Sequence, residues 1–106
     1  MFDLATVKPK FPLGQIVATP GAIEFAKERK LDFSPYIDRH VRGDWGDVCN
    51  EDWMSNNASL IEGSRIISSY LCKDGEKFWI ITEADRSSTC ILLPKDYWPM
   101  KWWLES

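Results

Sequence analysis

The sequence predicts an α+β domain with the element order β-α-α-α-β-β-β, a small antiparallel sheet with helices on one face. Three observations carry this. Residues 65–94, RIISSYLCKDGEKFWIITEADRSSTCILLP, read as three strands in a row. Thr19-Pro20 and Ser34-Pro35 each set a hydroxyl residue before a proline, a pairing that starts helices. Between Asn50 and Gly63, the residues Trp53, Met54, Asn57, Ala58 and Ile61 recur at helical spacing.

Residues 1–12, with Lys8-Pro9-Lys10 and Pro12, read as an extended lead-in to a single domain at 13–97. Leu13-Gly14-Gln15-Ile16-Val17-Ala18 is a short apolar strand. Thr19 caps a first helix over 20–30, which is expected to bury Ala22, Ile23, Phe25 and Ala26. Ser34-Pro35 opens a second helix over 35–42, ending on Gly43 and burying Tyr36, Ile37, His40 and Val41. Asn50 caps the third, with Glu51 and Asp52 in its first turn, where negative charge suits the helix dipole; Gly63 stops it.

Asp74-Gly75 is the strongest local signal, since this dipeptide tolerates the positive φ angles of a type I′ hairpin turn. Lys73 and Glu76 would then face each other across the strands. The runs 78–81 and 89–93 are apolar on both faces, so both faces of the sheet need cover. Residues 98–106 form an aromatic tail with Trp98, Trp102 and Trp103. Two readings stay open for it: a flap over the sheet, or a partner or dimer surface, where large aromatics dominate.

The chain of 106 residues is long enough for one hydrophobic core. Without an 18-residue apolar run or a leader pattern, neither a membrane span nor secretion is indicated, and a cytoplasmic location is expected. Cys49, Cys72 and Cys90 are odd in number and lack C-x-x-C spacing, which argues for reduced, mostly buried thiols. The net charge of −3 disfavours direct nucleic-acid binding. Residues 43–64 hold five acidic side chains and no Lys or Arg, so this stretch carries the whole acidic excess.

One polar constellation could carry chemistry: His40, Asp44 and Asp47, with Glu83, Asp85 and Arg86 far downstream. If the second helix packs near the end of the second hairpin strand, these groups would supply a base, carboxylates and a guanidinium. The structural reading is the stronger, because a histidine on an apolar helical face is usually a satisfied core residue. Phosphate-loop, dinucleotide, nucleophile-elbow and zinc-protease motifs are all missing, and with one histidine a multi-His metal site within the chain is excluded. No cofactor and no metal are expected.

Several stretches carry a resemblance: 13–22 (LGQIVATPGA), Arg39-His40 with Gly43-Asp44-Trp45-Gly46-Asp47, and 80–87 (IITEADRS) with Ile91-Leu92-Leu93-Pro94. In these the chain resembles a family of short bacterial proteins found on plasmids, prophages and other mobile elements, at times labelled as associated with type I restriction. The resemblance covers most of 13–97 and leaves both ends outside. It implies a setting and no reaction. The expected function is thus a small non-enzymatic interaction protein of mobile-element origin, such as an inhibitor of restriction or CRISPR defence. Its partner would be a basic nucleic-acid-binding host protein, met by Asp44, Asp47, Glu51, Asp52 and the tail tryptophans. A homodimer closed by that tail, and a small hydrolase or transferase using His40 with Glu83 and Asp85, are the alternatives.

Overall fold

The computed structural model of the chain describes residues 9–96. Its elements are β1 (Gln15–Ala18), α1 (Pro20–Arg29), α2 (Ser34–Val41), α3 (Asn50–Glu62), β2 (Ile66–Leu71), β3 (Lys77–Thr82) and β4 (Ser88–Leu92), the expected α+β order. The strands form one sheet in the spatial order β1-β4-β3-β2. The β2–β3 and β3–β4 pairs are antiparallel, whereas β1 runs parallel to β4, so the sheet is mixed rather than wholly antiparallel. Two reversals bring β4 back beside β1. Local sequence carries no mark of the direction in which two strands so far apart will meet.

The hairpin turn also differs from expectation. Leu71 lies opposite Lys77, and Cys72 N–H bonds to the Glu76 carbonyl at 2.8 Å, leaving Lys73, Asp74 and Gly75 as a three-residue loop. Gly75 takes φ +86°, while Asp74 stays at negative φ. This is the turn-plus-bulge hairpin, not type I′, and Lys73 does not oppose Glu76. The Asp74 carboxylate accepts from Glu76 N–H at 3.1 Å and from the Arg29 side chain at 2.9 Å, which selects the longer loop.

The helix starts follow the chemistry with small shifts. The Thr19 hydroxyl accepts from Ala22 N–H at 3.1 Å, and Pro20 opens α1 as expected. Phe33 rather than Ser34 precedes α2; the Ser34 N–H is met instead by the Asp32 carboxylate at 2.9 Å. Cys49, with no capping side-chain bond, occupies the position expected for Asn50, and Gly63 ends α3 at φ +78°.

Register puts Ile66, Ser68, Tyr70, Phe78, Ile80, Thr82, Thr89 and Ile91 on one face of the sheet. Helices α1 and α2 cover that face: Ala22, Phe25, Phe33, Tyr36 and Ile37 pack on Tyr70, Phe78, Ile80 and Ile91. Phe25, Phe33 and Tyr36 each bring a ring within 6.1 Å of Phe78. A second cluster joins Phe11, Trp45 and Ile66, so the last residues of the lead-in belong to the core. Ile23, expected inside, is exposed. On the other face Ile81 and Leu92 are buried, while Val17 and Leu71 at the edge strands are open. The expected cover for that face, the tail at 98–106, lies outside the described residues. Cys49 is exposed and Cys72 and Cys90 are half-buried, so the thiols are free but not mostly buried. Among the described residues no helix is long and apolar enough to cross a membrane.

Candidate functional site

His40 sits near the end of α2 and is fully buried. Phe11 and Trp45 meet its ring edge-on, at centroid distances of 5.3 and 5.9 Å. Its two nitrogens are held by hydroxyls from the sheet: Nδ1 by Ser68 and Nε2 by Thr82 at 2.9 Å. The line continues from Thr82 to Thr89 at 2.7 Å and from Thr89 to the Leu13 carbonyl at 2.8 Å.

Proton counting along this line settles the tautomer. A carbonyl only accepts, so Thr89 donates to Leu13 and must accept from Thr82. Thr82 has then used its proton and accepts from Nε2–H. Nδ1 is left bare and accepts from Ser68. The neutral ring is thus fully satisfied, and burial, aided by the Arg86 charge, pushes its pKa down to about 3.

The other members of the expected constellation do not join it. Asp44 bonds to Arg39 at 2.8 Å and accepts from Gly46 N–H at 3.2 Å; the Arg39 bond holds its carboxyl below the usual range. Asp47 lies 3.4 Å from Lys77 and Glu83 3.9 Å from Arg65. Asp85 closes its own turn on Ser87 N–H at 3.0 Å. Arg86 alone comes near His40, across the Phe11 ring, which its guanidinium faces at 5.6 Å. That guanidinium is committed to carbonyls: Ser64 at 2.7 Å, Ser59 at 2.9 Å and Glu83 at 3.1 Å. Held at φ +62°, Arg86 ties the β3–β4 turn to the end of α3. With both ring nitrogens occupied by hydroxyls, neither Glu83 nor Asp85 is bonded to His40, and the constellation is a set of separate structural contacts.

None of the protein-family models, curated proteins or solved structures compared with the chain matches it.

A different surface emerges on α3, whose direction the helical spacing alone leaves open. The stripe at helical spacing points outward: Met54 is 70% exposed, Ile61 91% and Trp53 36%, and Ala58 is exposed with them. Asn56 and Ser59 turn inward instead. The cause is what α3 packs against. It lies along the outer edge of β2, and an edge offers main chain rather than side chains, so the residue that meets it, Asn56, is polar, while Leu60 packs beside it on the Phe11, Trp45 and Ile66 cluster. Asn56 donates to the Ile67 carbonyl at 2.7 Å and accepts from Ile67 N–H at 3.1 Å, acting as one residue of a missing strand. Of the outward stripe only Asn57 has an inward task, accepting from the Trp45 indole at 3.1 Å.

Glu51 and Asp52 stand exposed in the first turn of α3. Asp44 and Asp47 are instead paired with basic neighbours. Trp98, Trp102 and Trp103 lie outside the described residues. Sequence reasoning missed Met54 and Ile61 as surface residues, and Ser68, Thr82 and Thr89 as buried ones. The available signal was a polar residue at an inward position: Ser68 and Thr82 alternate with Tyr70 and Ile80.

Proposed function

We propose that the protein is a small, non-enzymatic interaction protein of mobile-element origin that counters a host defence system of the restriction or CRISPR type, with α3 as its docking surface. The observation that carries this reading is the outward stripe of Met54, Ala58 and Ile61. An exposed apolar stripe of this kind, at i, i+4 and i+7, is what a helix lays into a partner's groove. Glu51 and Glu62 border it, and no Lys or Arg occurs in residues 43–64. The complementary partner is therefore an apolar groove rimmed by basic groups, as on a nucleic-acid-binding protein, with long-range attraction speeding encounter.

The test uses phage plating on a host that carries the defence system, together with capture of the purified defence complex. The wild type is expected to raise plating efficiency and to bind with steep salt dependence. Ile61→Glu should abolish both while shifting folding stability by no more than about 0.5 kcal/mol, since the residue is solvent-facing. Weak, salt-independent binding, or full activity of Ile61→Glu, overturns the reading.

A further inference from the structure

We propose that β1 is the pairing edge of a symmetric dimer, in which the β1 strands of two copies run antiparallel about a two-fold axis at Val17. The inference rests on a difference between the two edges of the sheet. The β2 edge is guarded twice. Asn56 occupies the N–H and C=O of Ile67, and the loop before α3 occupies Ser69, whose N–H bonds to the Trp45 carbonyl at 3.1 Å and whose carbonyl accepts from Asp47 N–H at 2.6 Å. Among the described residues the β1 edge has no such guard.

The direction of its free groups follows from the ladder. Gln15 N–H bonds to Ser87 at 3.0 Å and Thr19 N–H to Ile91 at 3.0 Å, so odd-numbered residues face β4. The alternate residues Ile16 and Ala18 direct N–H and C=O outward, and no described residue bonds to them. Natural sheets blunt a bare edge with charge, proline or a bulge. β1 has no charged residue, no proline within it and an unbroken register with β4, so its shortness, four residues ending before Pro20, is the one such device it carries among the described residues. Ile16 is 48% and Val17 40% exposed, on opposite faces of the sheet.

A second copy fits this edge because the strand is complementary to itself. With Val17 opposite Val17 of the second copy, Ile16 of each strand exchanges both backbone bonds with Ala18 of the other. Gln15 meets Thr19, and no like charges face each other. The β-branched pair at the axis is a favourable cross-strand contact. The contact is short compared with a standard interface, so the dimer dissociates within the micromolar range.

Sedimentation equilibrium over that range tests the proposal on the full chain. The wild type should shift from monomer to dimer mass with concentration. Val17→Lys and Val17→Glu, at a half-exposed position, should each remain monomeric with an unchanged circular dichroism spectrum. Their equimolar mixture should recover the dimer, because only a two-fold at this residue brings lysine opposite glutamate. A wild type that stays monomeric throughout, a dimer that survives Val17→Lys, or a mixture no more dimeric than its components overturns the proposal. A dimer lost in Ile61→Glu but kept in Val17→Lys would place the contact on α3 and overturn it equally, leaving the docking role of α3 to be judged by its own assay.

Discussion

Acidifying the solution should destabilise the fold through His40 alone over a defined window. The ring is neutral in the folded protein, with its pKa pushed down to about 3. In the unfolded chain a histidine titrates near its ordinary value of about 6.5. Below that value the unfolded state takes up a proton that the native state refuses, so stability falls as pH falls, and the loss ends only near the folded pKa. Above it the contribution is complete. The limiting slope is about 1.36 kcal/mol per pH unit, which integrates to about 2 kcal/mol between pH 7.5 and 5.0. The chain has one histidine, so no other imidazole shares the effect. Carboxylates with lowered pKa, such as Asp44 and Asp85, act in the same direction but at lower pH. Urea unfolding followed by tryptophan fluorescence at several pH values reads the slope directly. His40→Gln should be less stable at pH 7.5 and flat across the window. A wild type whose stability is constant or rising from pH 7.5 down to 5.0 refutes the buried, neutral imidazole.

Two further expectations concern the backbone. Asn56→Ala leaves the Ile67 N–H and C=O without a partner and should cost about 2–3 kcal/mol in chemical denaturation; Asn56→Asp, which sets a second acceptor oxygen against the Ile67 carbonyl, should cost at least as much at neutral pH. Gly46→Ala and Gly75→Ala form a matched pair at φ +75° and +86°. At position 46 a Cβ would run into the Ser69 carbonyl and the Tyr70 ring, whereas at 75 it meets nothing within 4 Å. The first should lose more than about 3 kcal/mol and the second about 1–2 kcal/mol, and equal losses would count against the close approach at Gly46.

Much of the architecture was legible because its signals are local. Thr19-Pro20 caps α1 whatever the rest of the chain does, Gly63 ends α3, and the apolar runs around Phe78 and Ile91 have to be strands. What failed to show was set by distant partners. The parallel β1–β4 pair joins residues more than seventy positions apart, as in Val17 opposite Cys90. The helical spacing of Trp53, Met54, Asn57, Ala58 and Ile61 located α3 without orienting it, because periodicity tells which residues share a face, not which way that face turns. Only the need to satisfy the main chain of β2 decides it, through Asn56. The expected polar constellation failed for a related reason: each of its charges found a nearer partner, Asp44 in Arg39 and Arg86 in carbonyls at the end of α3. His40 itself was placed correctly on the buried face of α2, but the two hydroxyls that meet it, Ser68 and Thr82, come from β2 and β3, far along the chain.

The unequal protection of the sheet has a consequence for how far association can go. A sheet bare at both edges adds copies without end, which is the geometry of fibrils. Here one side of every copy is already closed by Asn56 and by the loop from Trp45 to Asp47. Two copies joined along β1 would turn outward the edges guarded at Ile67 and Ser69, which opposes growth through strand pairing beyond two. The same residues that hold α3 in place would thereby act as a chain terminator for such an assembly, letting one edge pair without the hazard of polymerising.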